Sequence, residues 1–209
     1  MPLRNITTNT TLGFWKITET EKELLEIYTP TVDEADFFSK FKPEKRLHFL
    51  ASRALLYGMF PQGNLQKDSF GKPFFSNSDV KMSWSHSGKY AAVILCNNAH
   101  TGIDIERYSD RVVRIQHKFI NPTDAKSLHE FGSNLKELLV IWGVKESLYK
   151  YYGKKGLDFN DHMSVMPFIL RDNDKLLANI HHPNYRAQLK LGYDFFDDHV
   201  AVWIEEELF

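Results

Sequence analysis

Gly102-Ile103-Asp104-Ile105-Glu106 alternates acids with isoleucines. On an extended strand, residues two apart share a face. Asp104 and Glu106 would therefore project together while Ile103 and Ile105 anchor the other side in a core. Two carboxylates on one face repel unless a cation lies between them, and a hard divalent ion such as Mg²⁺ suits carboxylate oxygens together with substrate phosphates. The competing reading is a solvated edge strand that carries an acid pair by chance. A second stretch, Lys145-Glu146-Ser147-Leu148-Tyr149-Lys150, has helical spacing. Glu146 and Lys150 share one face there, with Trp142 a turn earlier, and alone they would be a surface pair stabilising by about 0.2–0.5 kcal/mol.

Lesser signals surround these two. Ser85-His86-Ser87 puts a histidine where a strand meets its turn, and Gly71-Lys72-Pro73 holds a lysine on a rigid turn. Arg46 and Arg53, seven apart, would share one face of a helix. Other chemistries lack their motifs. No G-x-S-x-G occurs for a nucleophile elbow. Dinucleotide and P-loop glycine motifs are also missing. There is no H-E-x-x-H, and His181-His182 has no accompanying cysteines for zinc.

The elements that must position these residues can be read from the pattern. Leu12–Thr18 reads as a strand, Glu19–Tyr28 as a helix, and Val32–Phe41 is ambiguous. Pro43 suits a first helical position before an amphipathic helix over Arg46–Phe60. Val80–Ser87, Tyr90–Asn97 and Gly102–Glu106 follow so closely that an antiparallel meander is expected. Arg107–Arg111 is the candidate interdomain linker. Asn121-Pro122 should cap a helix from about Thr123, and Leu135–Tyr152 is the longest helical pattern, closed by Gly153. Met163–Leu170, Lys175–Ile180, Arg186–Tyr193 and Val200–Glu205 read as strands. The expectation is an α+β fold in two halves, 1–106 and 107–209, each a long helix on a small, mainly antiparallel sheet.

With 209 residues, 43% hydrophobic and 25% charged, the chain can bury a proper core. One cysteine, Cys96, excludes an internal disulfide framework and fits a reducing cytoplasm. No apolar run approaches a membrane span. The net charge of −1 hides basic clusters at Lys40–Arg53 and at Lys145, Lys150, Lys154 and Lys155. Such clusters on a neutral protein suit a compact phosphorylated ligand better than nucleic acid.

Taken in order, Gly71-Lys72-Pro73, Ser85-His86-Ser87, Gly102-Ile103-Asp104-Ile105-Glu106 and Trp142-x-x-Lys145-Glu146-Ser147-x-x-Lys150 resemble the Sfp-type 4′-phosphopantetheinyl transferases. The resemblance runs from the Arg46–Leu56 helix to the strand after Gly156-Leu157-Asp158-Phe159. It implies a pseudo-twofold monomer holding coenzyme A and Mg²⁺, with Mn²⁺ as a substitute, between two α+β halves. It assigns Asp104, Glu106 and Glu146 to the metal, and Lys72, Pro73, Ser85, His86 and Lys150 to coenzyme A. Arg53 and Arg46 would hold the nucleotide end. Glu146, Lys150 and His86 would carry the chemistry. The implied reaction moves the phosphopantetheine arm of coenzyme A to a serine of an apo acyl or peptidyl carrier protein and releases 3′,5′-ADP.

Three departures stand out. Ser83 and Trp84 replace the family's usual asparagine and aliphatic residue, and Asp124 stands where a glutamate is usual. Neither nucleic acid nor membrane is an expected partner. The alternatives are a catalytically silent module that binds coenzyme A or a carrier, and a Mg²⁺-dependent phosphohydrolase. The first would bind without transfer, and the second would release product without a carrier.

Overall fold

The computed structural model describes residues 3–7, 9–97, 99–128 and 135–209. The N-terminal part opens with strands β1 (Leu3–Thr7) and β2 (Thr10–Lys16). Three helices follow: α1 (Glu21–Ile27), α2 (Val32–Ser39) and α3 (Pro43–Met59). The stretch that was ambiguous by periodicity is α2, and its start is local chemistry. Thr31 and Glu34 cap each other's backbone N–H groups, as Thr20 and Glu23 do for α1. Pro43 occupies the first turn of α3, where its missing N–H is not needed. The buried side of α3, including Leu50, Ala51 and Leu55, packs on a sheet of order β1-β2-β6-β5. Here β5 is Lys81–Ser87 and β6 is Tyr90–Cys96. A small hairpin of β3 (Leu65–Lys67) and β4 (Pro73–Phe75) carries the Gly-Lys-Pro turn.

The second sheet has the order β7-β11-β10-β9-β8. Its strands are β7 (Ile103–Arg107), β8 (Met163–Val165), β9 (Asp174–His182), β10 (Tyr185–Phe196) and β11 (His199–Glu207). The expected meander does not form. Both edges of β6 are already taken, by β2 and β5, whereas the β10–β11 hairpin leaves one edge of β11 open. Strand β7 fills that edge, with Asp104 opposite Val202 and Glu106 opposite Val200. Sheet pairing thus carries the acid strand into the C-terminal sheet, although the two-half reading groups it with residues 1–106. Strand β8 ends at Val165 rather than running to Leu170, because Pro167 cannot donate to a ladder. The helix expected near Thr123 is a single 3₁₀ turn, Asp124–Ser127.

Ile103 and Ile105 are buried with Leu12, Ala92 and Ile94 of the first sheet and Ala201 and Trp203 of β11. The isoleucine side of the motif is therefore the glue between the sheets. After the short helix α4 (Arg111–Ile115), helix α5 (Leu135–Tyr152) lies across β7 and β11 and is enclosed enough to bury Leu139, Val140, Val144 and Leu148. Its approach depends on Gly102, where an added Cβ would sit 2.1 Å from the Ser147 carbonyl oxygen. Gly102→Ala should therefore push helix and strand apart, destabilising by about 1–3 kcal/mol. Urea denaturation measures it, and wild-type stability would show that the contact yields without cost.

Candidate active site

Strand β5 presents two chemically different faces. Met82, Trp84 and His86 lie on one side, and Ser83, Ser85 and Ser87 on the other. The serines meet β7 with side chains in place of a backbone ladder. Ser83 Oγ accepts from the Ile103 N–H (3.3 Å), and Ser87 Oγ accepts from the Arg107 N–H (3.0 Å). Ser85 Oγ donates to Asp104 Oδ1 (2.8 Å), and Ser87 Oγ reaches Glu106 Oε2 at 3.4 Å. The functional reading of the sequence used Ser85 alone. The period-two serines at 83, 85 and 87 were the available signal for the other two.

Asp104 is buried, and Lys150 of α5 donates to its Oδ1 at 2.7 Å. The same ammonium donates to Ser85 Oγ and to the Ile103 carbonyl, each at 2.9 Å. Asp104 Oδ2 is enclosed and has no hydrogen-bond partner among the described residues. Glu106 accepts from the Trp142 indole N–H at 3.0 Å. Burial, then the Asp104 charge, raises the Glu106 pKa. Burial and Asp104 push Glu146 further, to about 7, although Lys150 and Arg111 pull the other way. Arg111, expected only as linker, thus exerts its charge on both glutamates and lines a small cavity with Glu106 and Trp142. Nothing in its spacing announced that. Among the described residues, no three acidic, histidine or cysteine side chains stand close enough together to cage an ion. The positive charge at Asp104 is supplied by Lys150.

Beside the acids runs a groove of about 380 Å³ between β5, the Gly-Lys-Pro turn and the C-terminal end of α5. Lys67, Lys72, Lys150, Lys154 and Lys155 line it, with Pro73 and Trp84 among its walls. Lys72 points at the end of the helix, where its ammonium donates to the Tyr151 carbonyl at 2.7 Å. Burial, and to a lesser degree Lys81, lowers its pKa to about 8. The space it occupies exists because Gly153 has φ +68° and no Cβ; a Cβ would lie 2.4 Å from Lys72 Cδ. A larger cavity of about 580 Å³, at Lys126 and Met166–Ile169, contains none of these groups.

Other candidates are engaged elsewhere. Arg46 pairs with Glu21 (3.0 Å). Arg53 pairs with Glu34 (2.8 Å), its guanidinium 4.7 Å from the Phe49 ring centre and 4.6 Å from that of Trp84. His86 is exposed at the end of β5, stacked on the buried His48. Lys145 leaves the basic group expected of it. It is fully buried and donates to Asp124 and to the carbonyls of Phe119 and Phe159. Asp124, whose purpose the sequence left open, is that lysine's counter-ion.

Residues 100–203 match the family model described as the 4′-phosphopantetheinyl transferase superfamily. Among curated proteins, the chain is similar to "4′-phosphopantetheinyl transferase gsp" of Aneurinibacillus migulanus. They are 31% identical over 91 residues, 43% of this chain and 38% of the relative. It is also similar to "4′-phosphopantetheinyl transferase" of Bacillus subtilis, at 30% identity over 105 residues, 48% of this chain and 46% of the relative. The match spans less than half the length of either. The matched region carries β7, α5 and with them Asp104, Glu106, Glu146 and Lys150. On residues 100–203, the chain belongs to the 4′-phosphopantetheinyl transferase superfamily.

Proposed function

We propose that the chain transfers the 4′-phosphopantetheine arm of coenzyme A to a serine of an apo acyl or peptidyl carrier protein and releases 3′,5′-ADP. The observation that carries this reading is the enclosed, unpartnered Asp104 Oδ2 on a strand face shared with Glu106, beside a lysine-lined phosphate groove. Lys150 holds Oδ1, which leaves Oδ2 as the oxygen of that carboxylate with acceptor capacity to spare. Asp104, Glu106 and Glu146 would offer a hard divalent ion the carboxylate oxygens it takes, and Glu146, pushed up to about 7 by burial and Asp104, would gain most from one. Mg²⁺ held there would neutralise pyrophosphate charge during the transfer.

The chain's own groups do the remaining work. Lysines 72, 150, 154 and 155 neutralise and orient the phosphates of coenzyme A. His86, held below the ordinary imidazole range by packing around its ring, then by His48 and Lys150, presents a neutral N–H donor. Glu146 takes the proton of the carrier serine as its oxygen bonds to the β-phosphorus. The bond from that phosphorus to the bridging oxygen breaks, and 3′,5′-ADP leaves with the electron pair.

The test is the intact mass of an apo acyl carrier protein after incubation with the protein, coenzyme A and Mg²⁺, with an EDTA control. A gain of one phosphopantetheine arm, abolished by EDTA, is the expected result. No gain on several carrier types would overturn the reading. Binding of coenzyme A without transfer would then point to a silent module, and breakdown of coenzyme A without a carrier to a hydrolase. Asp104→Ala should weaken Mg²⁺ binding and lower activity while the chain stays folded. Full activity at ordinary Mg²⁺ concentrations would remove Asp104 from the metal set.

A further inference from the structure

We infer that His48 of α3 is a positioning residue for His86, fixing the plane of that imidazole from beneath. The inference deepens the transfer reading above and rests on it for the use of His86. His48 is buried, and its Nε2 lies 2.7 Å from the carbonyl oxygen of Gly88. A carbonyl only accepts, so Nε2 carries the proton and donates, which leaves Nδ1 bare in the neutral ring. That bond ties α3 to the turn that ends β5. The His48 ring also lies nearly parallel to His86, with centroids 4.5 Å apart and 15° between the planes. One side chain therefore holds both the turn and the ring just before it.

The two contacts act on a group that would otherwise rotate. His86 stands exposed at a strand end, where its outer torsion has broad freedom. Stacking removes that freedom before a ligand arrives, so ordering the ring no longer weakens binding. Immobilising one such side chain corresponds to about 3- to 10-fold in affinity. The charge environment runs the same way. Packing against the ring is the first cause that disfavours its protonation, followed by His48 of α3 and Lys150 of α5, and Lys45 of α3 adds to them. A leucine or phenylalanine at 48 could fill the space, but neither would donate to Gly88. A buried polar ring is costly unless it makes such a bond.

The test compares wild type with His48→Ala and His48→Phe. Phenylalanine keeps a flat ring against His86 and loses only the donor. Two readouts are used: the NMR titration of the His86 imidazole, and coenzyme A affinity by calorimetry. Carrier kinetics accompany them. His48→Ala should weaken coenzyme A binding about 3- to 10-fold, raise the His86 midpoint towards the ordinary range and leave kcat at saturating coenzyme A within about 2-fold. His48→Phe should recover part of the affinity. Wild-type affinity and midpoint in a folded His48→Ala, or in His48→Phe should the alanine variant not fold, would overturn the proposal. Failure of both variants to fold would also overturn it, since His48 would then hold the fold and not the ring. If wild type transfers no arm, the transfer reading fails, while titration and calorimetry still judge the positioning.

Discussion

Glu146→Gln should lower kcat by at least about 10²-fold, the scale on which a positioned general base acts. The change keeps the shape of the side chain and removes its charge and basicity. Its effect on stability is predicted to run in the opposite direction. Without metal, burial and then Asp104 penalise the Glu146 carboxylate and push its folded-state pKa up to about 7 from an ordinary value of 4.5. Below about pH 4.5 both folded and unfolded states are protonated, and the group contributes no difference. As pH rises towards 7 the unfolded chain releases its proton more readily, so the folded state loses ground, and the full penalty is present above 7. Glutamine never ionises and escapes this. Metal-free Glu146→Gln should thus be more stable than wild type at pH 8 by about 1–3 kcal/mol, and the gain should vanish near pH 4. Mg²⁺ should offset it by stabilising wild type more. Urea titrations at the two pH values, with and without Mg²⁺, measure this. A near-normal rate would end the role of Glu146 as base, and equal stability at both pH values would show that its carboxylate is not under strain.

What was legible in the chain was local. Period two put Asp104 and Glu106 on one face, and the buried isoleucines confirm which side of β7 is core. Helical spacing placed Trp142, Glu146 and Lys150 on one side of α5, and Trp142 indeed reaches Glu106. What escaped depended on partners far along the chain. The choice of β11 for β7 is made by which sheet edges stay open once all strands have paired, and no window around Gly102 contains that information. Arg53 looked free because its neutralising acid lies on α2, a helix that hydrophobic periodicity did not resolve. The Thr31-x-x-Glu34 capping pattern did mark its start. Lys145 looked like part of a surface cluster because its sequence neighbours are charged. A helix turns about 100° per residue, however, so adjacent positions face different surroundings. Glu146 meets the acids of β7, and Lys145 meets the loops at Phe119 and Phe159.

Lys145→Ala should lower stability by about 3–5 kcal/mol, because it leaves a buried carboxylate without its cation. Both side chains of the pair are fully enclosed. The ammonium has three donors and three partners: Asp124 Oδ2 and the carbonyls of Phe119 and Phe159. Asp124 also accepts from the N–H of Asn121 on Oδ2 and from the N–H of Val165 on Oδ1. Removing Lys145 would therefore strand one charge and two carbonyls. Lys145→Met, which keeps most of the stem volume, should be destabilised almost as much, so lost packing is not the cause. Adding Asp124→Asn to Lys145→Met removes the stranded charge and should recover part of the loss, a coupling that a double-mutant cycle reads directly. Because the pair's hydrogen bonds go to backbone groups of Phe119, Asn121, Phe159 and Val165 and to none of the site acids, the folded fraction of Lys145→Met should keep kcat within several-fold of wild type. A loss below about 1 kcal/mol would mean that the pair is not buried as described. A collapse of kcat in fully folded protein would mean that the anchor also sets the position of Glu146.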